Sequence, residues 1–205
     1  MTDIAILDRS ALPTLEGVHV RLDPLTHEHV PALTAIGLDP DLWQWTVSQV
    51  RTPEDMASYV EAALAERDQG RSLPFATVDR SSGTVVGSTR FGSIDLRNRR
   101  VEIGWTWIAR AWQRTAINTE AKYLMLRHAF EVLDCIRVEL KTDVLNERSR
   151  AAMRRIGAVE EGILRRHMIT ESGRVRDTVY YSILSDEWPA VRTALEARLE
   201  RSVDC

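Results

Sequence analysis

The segment from Trp105 to Ala121, WTWIARAWQRTAINTEA, constrains the fold of this chain more than any other part. Its first residues are typical of a β-strand, its middle forms a short loop, and a helix begins near Asn118, Thr119 and Glu120. A helix N-terminus carries unpaired backbone N–H groups and roughly half a positive charge from the macrodipole. A loop that leads from a strand into such a terminus predicts a binding site for a phosphate or pyrophosphate group.

Length and charge limit the class of protein. The 205 residues are 44% hydrophobic and carry a formal net charge of −3. This length favours one domain over residues 1–205, with its core at about 15–188. The slightly acidic balance argues against nucleic acid or a membrane surface as the partner. No apolar run reaches the roughly 18 residues of a membrane span.

The cysteines and the first residues indicate the compartment. Cys135 lies in an apolar run and is interpreted as a small buried hydrophobe, and Cys205 is the last residue. Two such cysteines imply no disulfide framework. The first ten residues lack the pattern of a signal peptide. We therefore expect a cytoplasmic protein.

Hydrophobic periodicity predicts seven strands and five helices. The predicted strands are 18–25, 73–79, 85–93, 101–108, 136–142, 158–168 and 175–184. The predicted helices are 26–37, 52–69, 118–133, 146–157 and 185–201, with Thr26, Thr52, Asn146 and Ser185 as caps. The middle strands form an antiparallel meander, and a βα unit follows. These elements predict an α/β (α+β) fold with one mixed, mostly antiparallel twisted sheet.

Four segments, in order and spacing, resemble the RimJ/RimL-like subgroup of the GCN5-related N-acetyltransferase (GNAT) superfamily. The segments are Val101 to Trp105, Gln113 to Ala121, Asn146 to Arg150 leading to Ile156-Gly157-Ala158, and Glu161 to Arg165, and the tail Arg176 to Tyr180 before Glu187-Trp188 also fits. The resemblance covers roughly Leu15 to Trp188. It implies helices on both sheet faces and a splay between the fourth and fifth predicted strands.

The resemblance also implies the reaction. It predicts acetyl-CoA as co-substrate, no metal, and direct attack by a primary amine, for example the N-terminal α-amine of a ribosomal protein. A small-molecule amine, such as an antibiotic or metabolite, is an alternative acceptor. A non-catalytic CoA-binding module is a second alternative. The apolar last two strands could pair subunits into a homodimer.

The chain departs from the family pattern at three positions. Ala116 replaces the glycine of the pyrophosphate signature, and Asn118 occupies its last position. Alanine allows close backbone approach but disfavours a positive φ. Met153 stands where many members carry a tyrosine that supplies a proton.

The resemblance assigns CoA contacts to a set of residues in three segments. They are Trp107, Ile108, Gln113, Arg114, Thr115, Ala116, Ile117, Asn118, Thr119, Asn146 and Arg150. The backbones of Trp107 and Ile108 would pair with the pantetheine arm as an added strand does. Arg150, with Arg154 and Arg155, either meets the CoA phosphates or forms a solvated helix face.

Two residues are candidates for proton transfer. Glu102 is the candidate general base, because a carboxylate can take the proton of the attacking amine. The alternative for Glu102 is an ion pair with Arg99 or Arg100, and Glu161 is a second candidate base. Ser149 is the candidate donor to the leaving thiolate, or it merely caps its helix.

Four aromatic residues are candidates for the acceptor site. Trp43, Trp45 and Tyr59 either edge the acceptor pocket or form a hydrophobic lid. Trp105 either lines the pocket or packs in the core. The histidines show no spacing that indicates a metal site.

Overall fold

One mixed sheet forms the centre of the computed structural model, which describes residues 13–201. Its eight strands follow the order β1-β2-β3-β4-β5-β6-β8-β7. The strands are β1 (Leu15–Glu16), β2 (Val20–Pro24), β3 (Leu73–Asp79), β4 (Thr84–Asp95), β5 (Arg100–Ile108), β6 (Arg137–Asp143), β7 (Val159–Ile169) and β8 (Val175–Leu184). The helices are α1 (Val30–Gly37), α2 (Pro53–Asp68), α3 (Ala116–Arg127), α4 (Glu147–Arg155) and α5 (Trp188–Glu200).

The predicted fold class is confirmed, and the local signals explain several boundaries. Strands β3 and β8 match their predicted bounds, since apolar residues and turns delimit them clearly. Thr52 caps α2 in a capping box with Asp55, and Pro53 occupies the first turn. The two-residue strand β1 was not predicted, because two residues show no periodicity.

Two predicted helix starts are wrong. Helix α3 begins at Ala116, because Thr115 rather than Asn118 is its N-cap. The Thr115 hydroxyl accepts a hydrogen bond from the Ile117 N–H. The last helix begins at Trp188 rather than at Ser185, and Glu187 precedes it. Cys205 lies outside the described residues.

The sheet splays between β5 and β6, the fourth and fifth of the predicted strands. These strands are parallel and pair only from Arg100–Arg137 to Glu102–Glu139. Beyond Glu102, no described strand lies beside β5 on this edge, so residues 103–108 border an open wedge. Backbone N–H and C=O groups on such an edge are available to an extended ligand.

The two faces of the sheet carry separate hydrophobic cores. Helices α3 and α5 pack on one face, around Leu124, Met125 and Tyr181. Helices α1 and α2 cover the other face at strands β3 to β5, around Trp43 and Trp107. The polar face of β6 and β8 continues beside this second core. No described helix has the length and apolarity that crossing a bilayer requires.

A buried carboxylate anchors the start of α3 to the far edge of the sheet. Glu120 accepts hydrogen bonds from the backbone N–H groups of Val18, His19 and Val20, at 2.6 to 2.8 Å. Three charge-assisted bonds to one carboxylate fix the position of the helix N-terminus. The predicted anion-binding corner is therefore held in place by residues about 100 positions earlier in the chain.

Candidate active site

The N-terminus of α3 is accessible at the surface. It borders a cavity of about 500 Å³ that Trp112, Thr115 and Ala116 help to line. In the loop before it, Arg114 rather than the glycine-equivalent Ala116 takes a positive φ, of 64°. Ala116 lies inside the first helical turn, so its side chain causes no backbone strain there.

Gln113 connects three elements at this corner. Its side-chain amide donates to the carbonyl of Ile108 at the end of β5, at 2.8 Å, and accepts from Arg148 of α4. The Thr115 hydroxyl donates to the carbonyl of Trp112 and so closes the loop. The Oδ1 atom of Asn118 is buried without a partner in residues 13–201. This oxygen is an acceptor, so it does not contribute to a phosphate site; the first-turn backbone N–H groups of α3 are the donors that fit a phosphate-bearing ligand.

A β-bulge lies in β5 beside the wedge. Ser88 pairs with Trp107 and Arg90 with Gly104, so Thr89 faces both Trp105 and Thr106. Trp105 has a φ of 49°, a conformation that costs a residue other than glycine about 1 kcal/mol or more. A bulge leaves one residue outside the ladder and redirects its side chain. The bulge thus removes Trp105 and Thr106 from regular pairing with β4.

Glu102 is buried, and its partner was not predicted. Only 3% of the residue is exposed, and its carboxylate lies 2.8 Å from the Lys141 ammonium of β6. Ser93 donates a hydrogen bond to the same oxygen. Gly104 makes room for the carboxylate, because a Cβ there would lie 2.8 Å from Oε1. The expected pairing of Glu102 with an adjacent arginine is wrong.

The neighbouring charged residues have other partners. Arg99 pairs with Asp134, and Arg100 pairs with Asp95 and Glu139. The second candidate base, Glu161, forms an ion pair with Arg137. Hydrogen bonding from Arg137 lowers the pKa of Glu161 and stabilises its ionised form. Glu161 is therefore a poor proton acceptor.

Helix α4 presents two of the predicted residues beside the wedge. Asn146 is its N-cap and accepts from the Ser149 N–H at 3.0 Å. The Ser149 hydroxyl makes no hydrogen bond within residues 13–201, so it is free to donate a proton. Arg150 instead contacts Glu147, Glu160 and the hydroxyl of Tyr181. This network, which neither alternative for Arg150 anticipated, occupies its guanidinium.

Aromatic residues surround the acceptor side of the wedge. Trp105 is half-buried, and the Arg90 guanidinium lies 4.9 Å from its ring and 5.1 Å from the Tyr59 ring. The Tyr59 hydroxyl donates to the carbonyl of Trp105. Trp45 is half-buried and stacks with Arg174 of the β7–β8 hairpin. These contacts bring Tyr59 and Trp105 together and place Trp45 against the β7–β8 hairpin.

Trp43 is not at the edge of this region. It is 2% exposed and packs against Tyr59 and Trp107, while its indole N–H donates to the carbonyl of Gly37. The lid alternative, in which it belongs to the hydrophobic core, describes it correctly. The early apolar residues around Trp43 are too many for one pocket edge, and most pack inward.

The sequence interpretation missed several polar residues on the acceptor face. Lys141 and Asp143 alternate with buried Leu140 and Thr142 on β6, and Thr178 and Tyr180 lie opposite them on β8. A polar face with period two was visible in the sequence, but only the apolar set of β6 was interpreted. Lys122 of α3 was also missed, and it is 7% exposed with its ammonium on the hydroxyl of Thr106.

Among residues 13–201, neither the cysteine nor the acidic side chains form a further catalytic group. Cys135 is buried as predicted, and burial raises the pKa of its thiol to about 11. The thiol thus stays protonated near neutral pH and is a weak nucleophile. Within residues 13–201, no group of three or more histidine, cysteine or acidic side chains could hold a metal ion.

A gap shaped like a missing strand lies between the N-terminus of α3 and a polar pocket. This arrangement fits an enzyme that transfers a carrier-bound group to a second substrate. The model of the acetyltransferase (GNAT) domain matches residues 19–159, well over half of the chain. The chain therefore belongs to the GNAT family of acetyltransferases, and the predicted family is confirmed.

Similar proteins are named N-acetyltransferases. Over 106 residues the chain is 40% identical to "Putative ribosomal N-acetyltransferase YdaF" of Bacillus subtilis (strain 168), a match over 52% of this chain and 57% of that protein. A GCN5-related N-acetyltransferase from Brucella melitensis is 33% identical, with a TM-score of 0.84 over 91% of this chain and 85% of that one. Mycobacterium smegmatis RimJ, in complex with CoA-disulfide, is 27% identical, with a TM-score of 0.77 over 91% and 92%.

Proposed function

We propose that the chain transfers an acetyl group from acetyl-CoA to the α-amine at a protein N-terminus. The observation that carries the proposal is the β5–β6 wedge, which joins the N-terminus of α3 to the pocket around Glu102 and Trp105. The name of the relative YdaF supports a ribosomal acceptor, and the CoA-disulfide complex of RimJ supports CoA as the carrier.

Three parts of the chain would hold the carrier. The backbone N–H groups of Ala116 to Thr119, with Gln113, Arg114 and Thr115 before them, would bind the pyrophosphate. Residues 103–108 of β5, including Trp107 and Ile108, would hydrogen-bond the pantetheine arm as a neighbouring strand does. The Asn146 side chain would reach the amides of the arm. Arg150 stays a predicted phosphate contact only if it leaves its present partners.

The pocket residues would then move two protons. Acetyl-CoA supplies an activated thioester. The amine nitrogen forms a bond to the acetyl carbon, and the carbon–sulfur bond breaks. Glu102 takes the amine proton and releases it to solvent, and the Ser149 hydroxyl gives a proton to the leaving thiolate and regains one from solvent. A backbone N–H of β5 at the bulge would stabilise the oxyanion that forms before the carbon–sulfur bond breaks.

Turnover with matched acceptors tests this proposal. We expect thiol release from acetyl-CoA with short peptides that have a free N-terminus, and none with the same peptides acetylated at that end. Ser149→Ala should lower kcat about ten-fold or more, because the thiolate then leaves without a proton donor. Ser149→Ala combined with Met153→Tyr should regain part of this loss, since a hydroxyl returns to the position that the family uses.

Other outcomes would identify the alternatives. Turnover with small amines but not with peptides would indicate a small-molecule acetyltransferase. CoA binding without turnover on any amine would indicate a non-catalytic module. An unchanged kcat for Ser149→Ala would assign the proton to water or to another residue.

We also propose a homodimer that forms through β7, in the cytoplasm where ribosomal acceptors are made. This strand is at the edge of the sheet, and Ile163, Leu164 and Ile169 are exposed on it. Long apolar edge strands tend to be covered by another chain. Sedimentation analysis should show twice the chain mass. A monomer at the highest assay concentration would contradict the dimer.

A further inference from the structure

The cations of the acceptor face are matched with carboxylates, with one exception. Lys141 pairs with Glu102, and Arg90 pairs with Glu66. Arg174 and Arg176 share one carboxylate, that of Asp143, which is 0% exposed. Two guanidinium groups against one carboxylate leave an excess of one positive charge.

Arg176 is the residue that lacks its own partner. It is 5% exposed, and its Nε lies 4.0 Å from the nearest Asp143 oxygen, beyond hydrogen-bonding distance. Asp143 is already engaged by Arg174 and by the N–H of Leu145. The Arg176 side chain donates no hydrogen bond to residues 13–201, and its Nε is buried without a partner.

A second unsatisfied group lies beside it. Thr178 is 0% exposed, and its hydroxyl also has no partner among the described residues. Arg176 and Thr178 are two positions apart on β8, so both side chains point to the same face of the sheet. That face is the one that carries Lys141 and Tyr180. An unsatisfied Nε–H is costly to bury, and burial lowers the pKa of Arg176.

The environment of this pair belongs to the acceptor pocket. His167 of β7 packs edge-on against the Tyr180 ring. The charges of Lys141, Arg176 and Glu102 all act on its imidazole. Arg174, beside Arg176, stacks on Trp45 of the acceptor site. Arg176 is therefore continuous with the proposed site of amine attack.

We propose that Arg176, with Thr178, binds a carboxylate on the molecule that presents the acceptor amine. This rests on the acetyl transfer to an amine proposed above, and it specifies the substrate class for both the peptide acceptor and its small-molecule alternative. A guanidinium matches a carboxylate through two parallel hydrogen bonds, and the hydroxyl can add a third. The excess of one positive charge matches a singly charged group. The carboxylate belongs either to a free amino acid or to an acidic residue near a peptide N-terminus.

Paired probes that differ by one charge test this inference. The peptide pair is Ser-Asp and Ser-Asn, each followed by alanines and a C-terminal amide. The small-molecule pair is the α-amides of aspartate and asparagine. In at least one pair we expect the acidic member to have a kcat/KM at least ten-fold higher, mainly through KM. The pair that shows the preference identifies the source of the carboxylate.

Two variants and a control locate the effect. Arg176→Gln should lower kcat/KM for the preferred acidic probe to the level of its neutral partner. Arg176→Lys, which keeps the charge but not the paired hydrogen bonds, should retain part of the preference. Arg97→Gln, at an exposed position in the turn between β4 and β5, should retain all of it. Thermal unfolding of each variant shows whether it is folded.

The outcomes separate this inference from the proposed function. Equal kcat/KM values within both pairs, or an unchanged preference in Arg176→Gln, would overturn the role of Arg176 while leaving acetyl transfer intact. If no probe is acetylated, the proposed function fails on these acceptors. Calorimetry with the four probes then decides: acid-selective binding that Arg176→Gln abolishes supports the inference, and its absence overturns it. If Arg176→Gln does not fold, the wild-type preference and Arg176→Lys give the decision.

Discussion

Glu102→Gln is expected to lower kcat for acetyl transfer by about 100-fold or more, with little change in the KM for acetyl-CoA. Glutamine has nearly the same shape and can still accept the hydrogen bond from Ser93, but it cannot take a proton at neutral pH. Initial rates of thiol release measure both effects.

Glu139→Gln is the matched control for this variant. Glu139 lies directly beside Glu102 in the β5–β6 ladder and pairs with Arg100 and Arg137. It has no proposed role in the reaction, so its loss should leave kcat within about two-fold. A Glu102→Gln variant that keeps a third of wild-type kcat would falsify the assignment of Glu102 as the base. Water would then be the proton acceptor.

Lys122→Met is expected to stabilise the chain at pH 7 by about 2 kcal/mol or more. The Lys122 ammonium is buried, has only hydroxyl partners, and makes no ion pair within residues 13–201. Burial lowers its pKa from 10.5 to about 7. Methionine fills a similar volume, and the Thr89 and Thr106 hydroxyls keep their mutual hydrogen bond at 2.7 Å.

The same group should make stability depend on pH. Between about pH 7 and 10.5 the unfolded chain holds a proton that the folded chain has released, so stability rises with pH. Each pH unit in this window adds up to about 1.4 kcal/mol, and the contribution is constant below it. Urea unfolding from pH 6 to 9 should show this rise in the wild type and a flatter curve in Lys122→Met.

The chain allows a direct check of this titration, because it contains two lysines, Lys122 and Lys141. Carbon-13-labelled lysine therefore gives two Cε resonances, and Lys122→Met assigns them. The Lys122 resonance should titrate near pH 7. The resonance of ion-paired Lys141 is the internal reference. A midpoint above pH 9 for Lys122 would show that its ammonium stays charged in the folded chain.

Local sequence signals predicted most elements and failed where contacts are distant. Thr52 and Asn146 were recognised as caps because the residues they bond to are three positions away. The start of α3 was misplaced by two residues because Thr115 and Asn118 are both good caps. The partner of Glu102 is Lys141 on a parallel strand, and no spacing within the sequence specifies that register.

In the candidate site, too, local sequence signals were recognised and contacts between distant residues were missed. The loop before α3 was found because a strand, a loop and a helix start are adjacent in the sequence. Arg176 was quoted only as part of a family-like tail, because its lack of a partner depends on Asp143 and Arg174 in three dimensions. The bulge that gives Trp105 a positive φ was also missed, although Gly104 precedes it within the strand.

The short β5–β6 ladder predicts the order in which the two substrates bind. Three residue pairs and two ion pairs, Glu102 with Lys141 and Arg100 with Glu139, connect the two halves of the sheet at this ladder. A thioester carrier lying along residues 103–108 would join these halves into one continuous surface and fix the angle between them. The amine pocket draws residues from both halves, so we expect the bound carrier to fix its shape. Steady-state kinetics should accordingly be sequential, with the carrier binding first and the amine second.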